Sequence, residues 1–391
     1  MKIAYIGDFI NHGTSLAPNG TSIVFLLSAM KEVESIDVFC PFENEHDEAI
    51  TIPKKIRLIE TYSYDKVFSL VKLLNIRHSL YDKVIFNIMP TAFGNSSVSN
   101  AIGICVPIIL VKLFRLSNIE VVYHNSSFTN DIKKLGYTSV YDLFRSRILK
   151  LIEKSIFKNV PTFVLLKLYR ERIHSALGND KVECLNARYL EAVATVFLNE
   201  IHERDTIAVE RNRSVPNILL HGNWGPQKNI ELGIETLNEI RKDGISFNLI
   251  ITGGINHHFP EYEKHFRDVL NQYDFASSYK GSVTEKEIFT IFTNSDILLL
   301  PYNTPGGHSG VLEQAIFFEI PTIAIDFQEY REQCKGISNV EFVSSNKEFY
   351  KSVYCFLLNW NQFQSGINIS GKIEETKRNL EKLIGESYHD V

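Results

Sequence analysis

Short apolar runs alternate with helical stretches along the whole chain, and this alternation most constrains the fold. At the start, the strand-like runs Lys2–Gly7 ("KIAYIG") and Ile36–Pro41 flank an apolar helical stretch from about Ser22 to Lys31. Such a β-α-β unit builds a parallel sheet with right-handed crossovers. Three later runs continue the same predicted sheet: Lys83–Ile88, Glu120–Asn125 and Thr162–Leu166.

The alternation stops in a polar stretch, Asn199–Pro216, which we interpret as a linker, and then resumes. Four more strands are predicted after it: Asn217–Gly222, Phe247–Gly254, Ile297–Pro301 and Thr322–Asp326. A chain of 391 residues is long enough for two domains of ordinary size. The pattern therefore predicts two α/β domains in tandem, residues 1–198 and 199–391, and the last helix is allowed to pack back on the first.

Composition favours a folded protein of the cytoplasm. Apolar residues make up 44% and charged residues 22%, which are ordinary values. The five cysteines are scattered and never in CxxC spacing, which indicates a reducing compartment. The first residues already form a strand, so we expect no signal peptide. The longest apolar run, Ala101–Val111, is too short to span a bilayer, and a buried helix is expected there.

The charges are unevenly distributed along the chain. Residues 51–172 hold 19 Lys and Arg against eight Asp and Glu, a balance of +11, whereas the remainder holds 22 against 38, a balance of −16. A basic block of this kind suggests an anionic partner for the first domain. Within it, Asp131–Lys158 interleaves apolar and basic residues. Two interpretations remain open: a core helix with a solvated face, or a helix that lies on an anionic membrane surface.

Three polar or glycine-rich loops follow predicted strands, where open parallel sheets bind their ligands. They are Gly7–Ser22, Gly222–Asn229 and Tyr302–Gly310. In the second loop, Lys228 stands at the start of a helix, where an ammonium group can bind a diphosphate. The loops after Asn217–Gly222 and Ile297–Pro301 belong to one predicted sheet, so we expect both to contact one ligand.

The third loop ends in "GGHSGVLE", which has the features of a capped helix start. Ser309 is predicted to be the N-cap of a helix that begins at Gly310. The first N–H groups of such a helix suit an anion, and the carboxylate of Glu313 in the first turn suits hydroxyl groups. A phosphate together with a diol describes a nucleotide. A capped β-loop-α crossover without a ligand is the alternative.

The order of these motifs resembles the donor-binding domain of retaining glycosyltransferases of the GT-B fold (glycosyltransferase group 1, family 4-like). "LLHGNWGPQKN", "LIITGG", "SSYKGSVTEKEI" and "LLLPYNTPGGHSGVLEQAIFFEIPTIAI" stand where that family has its strand-G-R-x4-K, G-G, flG-x-v and EGFG-to-EA motifs. The resemblance implies two Rossmann-like domains with the active site in the inter-domain cleft. It implies a hexosyltransferase that uses a nucleotide-diphosphate sugar, with a glycan or a lipid-linked molecule as acceptor.

The resemblance also implies roles for individual residues. Lys228, His124 and Glu313 are the expected catalytic residues: Lys228 for the leaving diphosphate, His124 for the transferred sugar and Glu313 for the ribose. In a retaining mechanism the acceptor attacks the face from which the diphosphate leaves, so no protein nucleophile is named. The donor-binding residues are expected to be Gly20, Asn223, Lys228, Gly281, Ser282, Val283, Ser309, Gly310, Val311, Leu312 and Glu313. For His124 and Gly20, a hydrogen-bonded strand-end histidine and an ordinary turn glycine are the alternatives.

Two departures from the family pattern keep other functions open. Asn223 stands where the family has arginine, and Pro305 stands where it has the first glutamate of its E-x7-E pair. The chain is then either an active subgroup or a catalytically silent binding or regulatory protein. A nucleotide-sugar 2-epimerase, which shares the two-domain architecture, is a third possibility.

No metal or cofactor is expected. The chain has no DxD motif to bind a divalent cation. The cluster His257, His258, Glu261 and His265 is interpreted as a solvated helix start, because metal ligands must converge in space. The expected partners are a nucleotide sugar, an acceptor and an anionic membrane surface that contacts 51–172, without nucleic acid. The expected location is the cytoplasm, peripheral on the membrane.

Overall fold

A computed structural model describes residues 1–9, 17–41, 51–63, 66–89, 93, 97–129, 139–209, 214–256, 258–276, 278–360 and 365–385. The chain divides into two compact units. The first reaches Leu198 and includes the C-terminal segment from Glu374 onward, and the second spans Asn199–Ile373. Among the described residues, no helix combines the length and the apolar character needed to cross a membrane.

The first unit is built on a seven-stranded parallel sheet. Its elements in chain order are β1 (Lys2–Ile6), α1 (Ala17–Ser28), β2 (Ser35–Pro41), β3 (Ile56–Tyr62), β4 (Lys83–Ile88), α2 (Ser97–Lys112), β5 (Ile119–Tyr123), α3 (Val140–Asn159), β6 (Thr162–Val164), α4 (Lys167–Leu177), β7 (Val182–Cys184) and α5 (Leu190–Leu198). The strand order is β3-β2-β1-β4-β5-β6-β7, so the direction of winding reverses between β1 and β4. This arrangement is a Rossmann-like sheet with a switch point at β1 and β4.

The second unit has a five-stranded parallel sheet and a small two-stranded one. Its elements are β8 (Thr206–Val209), β9 (Asn217–His221), α6 (Ile230–Lys242), β10 (Asn248–Thr252), α7 (Tyr262–Asn271), α8 (Glu285–Thr293), β11 (Ile297–Leu300), α9 (Gly310–Phe317), β12 (Thr322–Ile325), α10 (Gln328–Gln333), β13 (Val340–Val343), α11 (Asn346–Asn359), β14 (Ser365–Asn368) and the start of α12 (Ile369–Leu380), whose residues from Glu374 onward belong to the first unit. The large sheet has the order β10-β9-β11-β12-β13, and its winding reverses between β9 and β11.

The predicted fold class, tandem Rossmann-like α/β units, is confirmed. All nine predicted strands are present, with boundaries shifted by at most two residues at either end. The strands β3, β7 and β13 were not predicted, and each lies at the edge of its sheet. Edge strands face solvent along one side and therefore carry charged residues, so they lack the apolar run that reveals a central strand.

Two local predictions are wrong. The segment interpreted as a linker contains β8, which pairs antiparallel with β14 more than 150 residues later, a contact that has no local signal. The first helix starts at Ala17 instead of about Ser22. Its first turns are polar, yet they are buried, because Asn19 donates to Glu191 of α5 at 3.1 Å. Tertiary contacts extend the helix where the apolar pattern ends.

Candidate functional site

The two loops at the switch point of the second sheet are tied together by side-chain and backbone hydrogen bonds. Asn303 follows β11 and donates from its backbone to Gln227 O and from Nδ2 to Pro226 O, both at 3.1 Å. Asn229 donates from Nδ2 to Pro301 O at 3.0 Å. The loops Gly222–Asn229 and Tyr302–Ser309 therefore form one polar surface at the carboxyl ends of β9 and β11, where doubly wound sheets bind ligands.

Lys228 lies on this surface at the end of a short 3₁₀ turn, Pro226–Lys228. Its ammonium nitrogen is 3.7 Å from the centroid of the Tyr302 ring. The tyrosine is buried and its hydroxyl donates to His221 O at 3.2 Å, so the ring is fixed from below. A cation over an aromatic face keeps its charge while its position is restricted. The contact thus places Lys228 of the Gly222–Asn229 loop over Tyr302, the second residue after β11.

His221 lies buried at the end of β9, under the same surface. Burial, with a smaller contribution from the charge of Lys228, lowers the pKa of the imidazole to about 4. Its Nδ1 is 2.8 Å from Thr252 Oγ1. A pKa of this size means that His221 is neutral at physiological pH, so the positive charge at the end of β9 comes from Lys228.

The neutral state of His221 predicts an acid-dependent loss of stability. Its folded-state pKa lies below the ordinary value of 6.5, so the unfolded chain is protonated first as the pH falls. The contribution of His221 to stability is complete above about pH 6.5 and is lost between pH 6.5 and 4. We expect the free energy of unfolding, measured with urea, to fall between pH 7 and pH 5 by about 2 kcal/mol more in the wild type than in His221→Gln. Equal pH dependence in both proteins would contradict this prediction.

The start of α9 is confirmed at Gly310, with Ser309 as its N-cap. Ser309 Oγ accepts from the Leu312 N–H at 3.3 Å. The preceding Gly306 and Gly307 have φ angles of 64° and 106°, which few residues other than glycine adopt readily. The two glycines thus allow the short loop after β11 to turn sharply into α9.

Two of the expected α9 donors are engaged by this chain itself. The Ser309 N–H donates to Gln333 Oε1 at 3.0 Å, and Gln333 Nε2 donates back to Ser309 O at 3.2 Å. The Leu312 N–H is held by the Ser309 cap, and the Leu312 side chain is buried. The N–H groups of Gly310 and Val311 occupy the first two helical positions, which have no acceptor within the helix. Of the four expected α9 residues, Gly310 and Val311 are therefore the two whose N–H groups have no acceptor within the helix.

Glu313 is buried beneath this loop and contacts His308. His308 Nε2 is 3.1 Å from Glu313 Oε1, and the two side chains are 7% and 1% exposed. A buried carboxylate is costly unless it has a partner, and the imidazole is one. Sequence reasoning identified Glu313 but missed His308 and Gln333. The spacing of His308 and Glu313 was visible, but nothing in it showed that the imidazole points toward the carboxylate.

The other expected donor-site residues lie around the same carboxyl edge. Gly281 O accepts from the Gly253 N–H at 2.7 Å, so the segment with Ser282 and Val283 runs beside the end of β10. Asn223, at the position of the family arginine, is exposed. Its neighbour Trp224 is buried and donates from Nε1 to Thr252 O at 3.0 Å, so the loop is fixed by the indole.

The cluster that we interpret as a solvated helix start lies at and within α7. His265 pairs with Glu231 of α6, and Glu261 is at the N-cap position of α7 without a side-chain cap hydrogen bond. His257 lies outside the described residues. In the described parts of the chain, no group of three His, Cys, Asp or Glu side chains has the arrangement of a metal site.

In the first unit, the expected residues gather at the carboxyl ends of β1, β4 and β5. His124 is buried, and its Nε2 is 2.7 Å from Asn87 Oδ1. Asn125 Oδ1 is buried without a hydrogen-bond partner among the described residues. Buried polar atoms normally find partners, so this oxygen has hydrogen-bonding capacity left for a polar ligand. Most of the loop after β1, residues 10–16, lies outside the described residues.

Gly20 lies in α1, against the end of β1. A Cβ on Gly20 would be 2.1 Å from Asp8 O and 2.5 Å from the Tyr5 hydroxyl oxygen. This close approach requires glycine, so the interpretation of Gly20 as an ordinary turn glycine is wrong. Helix α1 can pack this closely on the end of β1 only because residue 20 has no side chain.

We expect Gly20→Ala to destabilise the protein by about 1–2 kcal/mol, because the added methyl must displace backbone atoms. Gly233→Ala is the matched control, since its helical Cβ would meet only leucine and proline side chains at 3.3 Å or more. Alanine also favours helix, so the control should be neutral or stabilising. Thermal and urea unfolding of both variants measure the difference. Equal stabilities of Gly20→Ala and Gly233→Ala would show that α1 can shift away from β1 without cost.

No family profile and no curated protein sequence matches this chain. Solved structures do match along nearly its whole length. Sucrose-phosphate synthase from Thermosynechococcus elongatus shares 14% identity over 98% of this chain and 94% of that one, with a TM-score of 0.63. HepE from Anabaena, in complex with UDP-glucose, shares 11% over 99% and 100%, with a TM-score of 0.61.

A third match is the UDP-GlcNAc 2-epimerase from Methanocaldococcus jannaschii. It shares 16% identity over 99% of this chain and 100% of that one, with a TM-score of 0.53. Similarity at these identities establishes architecture. The protein has the GT-B fold, the fold of nucleotide-sugar glycosyltransferases and of related epimerases.

Proposed function

We propose that this protein is a glycosyltransferase of the hexosyltransferase type. It moves a sugar from a nucleotide-diphosphate sugar to a glycan or lipid-linked acceptor, with retention of configuration. The observation that carries the proposal is the joining of two loops at the β9–β11 switch point, which combines the Lys228 ammonium, the N-terminus of α9 and the Glu313 carboxylate. HepE, with the same fold, has been solved with UDP-glucose.

Each part of the surface suits one part of the donor. Lys228 and the N–H groups of Gly310 and Val311 provide positive charge for the diphosphate, which gains negative charge as its bond to the sugar breaks. Glu313 accepts hydrogen bonds from the ribose hydroxyls. The backbone at Gly281–Val283 binds the base. These positive groups compensate the negative charge of the diphosphate without a metal ion, and we propose that no metal or cofactor is needed.

The first unit supplies the other side of the reaction in this proposal. His124 is assigned to the transferred sugar, and its contact with Asn87 orients the imidazole. Gly20, in the first turn of α1, is assigned to the region beside the donor. The protein acts in the cytoplasm, and the basic block 51–172 brings it to an anionic membrane where lipid-linked acceptors are found.

A nucleotide-sugar 2-epimerase is the second candidate, favoured by the match to the epimerase of Methanocaldococcus jannaschii. A silent GT-B protein is the third, favoured by the exposed Asn223 and by Pro305 at positions where the family has charged residues. All three would bind a nucleotide sugar or nucleotide. They differ in whether the sugar is then transferred to an acceptor, epimerised or left unchanged.

One experiment separates these candidates. A panel of nucleotide sugars is screened by thermal shift, since a ligand that binds the folded state raises the apparent stability. Stabilising compounds are then incubated with and without candidate acceptors, and the release of nucleoside diphosphate is measured. Acceptor-dependent release supports the transferase. Conversion of the sugar without an acceptor would identify an epimerase, and binding without turnover under every condition would identify a silent protein.

A further inference from the structure

The first half of α3 exposes a row of large apolar side chains. Val140, Tyr141, Phe144, Ile148 and Leu151 are 84%, 63%, 60%, 41% and 68% exposed. At 3.6 residues per turn these positions lie on one side of the helix. We call this surface the α3 face. The interpretation of this stretch as a core helix with a solvated polar face is therefore wrong for its first half, because the exposed residues are the apolar ones.

The α3 face lies on the side of the helix opposite the side that packs on the core. Ile156 and Phe157, in the second half, are buried in the core of the first unit. Glu153 is buried and accepts from the Tyr123 hydroxyl at 2.8 Å and from the Ser127 N–H at 3.1 Å, both at the carboxyl end of β5. By helical position, Glu153, Ile156 and Phe157 lie roughly opposite Phe144 and Leu151. The α3 face therefore points away from the core of the first unit.

Basic side chains flank the α3 face. By helical position, Arg147, Lys150 and Lys154 lie along one border and Arg145 along the other. The two acids of the helix lie away from the α3 face. Asp142 is on the opposite side of the helix by its position, and Glu153 is buried. The result is an apolar row between positive borders, in a block of the sequence with a balance of +11.

We propose that the α3 face docks on an anionic membrane surface. Apolar side chains between cationic borders match the layering of such a surface, where acyl chains lie beneath anionic headgroups. The same charge argues against a second copy of this chain, because pairing of two α3 faces would bring like charges together. This docking rests on the proposed membrane attraction of the basic block 51–172, which it assigns to one helix face, and it does not depend on which reaction the protein catalyses.

Vesicle co-sedimentation tests the proposal with the full-length protein. Vesicles of phosphatidylcholine alone are compared with vesicles that contain about 30% phosphatidylglycerol, at low and high salt. We expect the wild type to bind the anionic vesicles at least tenfold more tightly, and the preference should fall at high salt because screening weakens it. Equal binding to both vesicles, or binding to neither, would overturn the proposal.

Two pairs of variants separate the apolar and the basic contributions. Phe144→Ser with Leu151→Ser should reduce binding at least tenfold without a change of charge, whereas Leu358→Ser, at an exposed leucine of α11, should have no effect. Arg147→Glu with Lys154→Glu should remove the anionic preference. Lys347→Glu with Lys351→Glu makes the same charge change on exposed lysines of α11 and should bind like the wild type.

Folding and self-association are followed in the same samples. The thermal unfolding midpoint of each variant shows whether the fold is intact, and size-exclusion chromatography reports the oligomeric state. Loss of vesicle binding with an unchanged midpoint supports the α3 face. Retained binding in the Phe144→Ser, Leu151→Ser protein would show that the apolar row does not contact lipid. A wild-type dimer that this variant converts to a monomer would show that a second copy covers the row instead.

Discussion

Replacing Lys228 with methionine is expected to lower sugar transfer about 100-fold, since one preorganised donor aimed at developing negative charge is worth about this much. Methionine keeps an aliphatic side chain over the Tyr302 ring but removes the ammonium group. The loss should be larger in kcat than in the affinity for intact donor, because the diphosphate charge grows as the bond breaks. Steady-state kinetics with a donor found by the screen measure both.

The control for this variant is Lys242→Met in α6, an exposed lysine that pairs with Glu239. It removes the same charge from the same unit and should leave the kinetics unchanged. The thermal midpoint of Lys228→Met should stay close to that of the wild type, because surface charge changes have small effects on stability. Kinetics within twofold of the wild type for Lys228→Met would remove the lysine from the site.

Glu313→Gln is expected to weaken nucleoside diphosphate binding about 50-fold, because a carboxylate that accepts two hydroxyl hydrogen bonds becomes a neutral amide. Pyrophosphate has no ribose, so its affinity should not change. Calorimetric titration with both ligands tests the two statements together. An equal loss for both ligands would mean that Glu313 acts on the shape of the α9 loop instead of on the ribose.

His308 makes this distinction necessary, since it contacts Glu313 at 3.1 Å within the loop. Glutamine at position 313 still offers an oxygen to the imidazole, so the loop should keep its conformation. Glu319→Gln is a useful control, because Glu319 is also a paired acid of the second unit and contacts Lys372 at 2.8 Å. That variant should bind both ligands like the wild type.

Features governed by neighbours in the sequence were predictable. The central strands are continuous apolar runs, because a strand covered on both faces has no exposed side. Ser309 was identified as an N-cap because its hydroxyl needs only the Leu312 N–H three residues later. The switch-point loops could be located from the strands alone, since a parallel sheet gathers its carboxyl ends at one edge.

Features that depend on distant residues were not predictable. Gln333 occupies the Ser309 N–H from a helix 24 residues further on. Lys228 and Tyr302 are 74 positions apart and meet only because β9 and β11 are neighbours in the sheet. Residue patterns carry no information about which polar groups satisfy each other across such separations. For that reason the sequence suggested donor binding by Ser309, Gly310, Val311 and Leu312, whereas in the tertiary structure the N–H groups of Ser309 and Leu312 already have acceptors.

The α3 helix shows the same limit on a larger scale. Its sequence contains enough alternation of apolar and basic residues to predict an amphipathic helix. Ile156 is buried and Phe144 is exposed, although both residues are apolar. Burial depends on which side of the helix faces the core, and the contact of Glu153 with Ser127 fixes that side. The amphipathic pattern is thus a property of the sequence, whereas the surface available to a membrane is decided by the packing of the helix on the sheet.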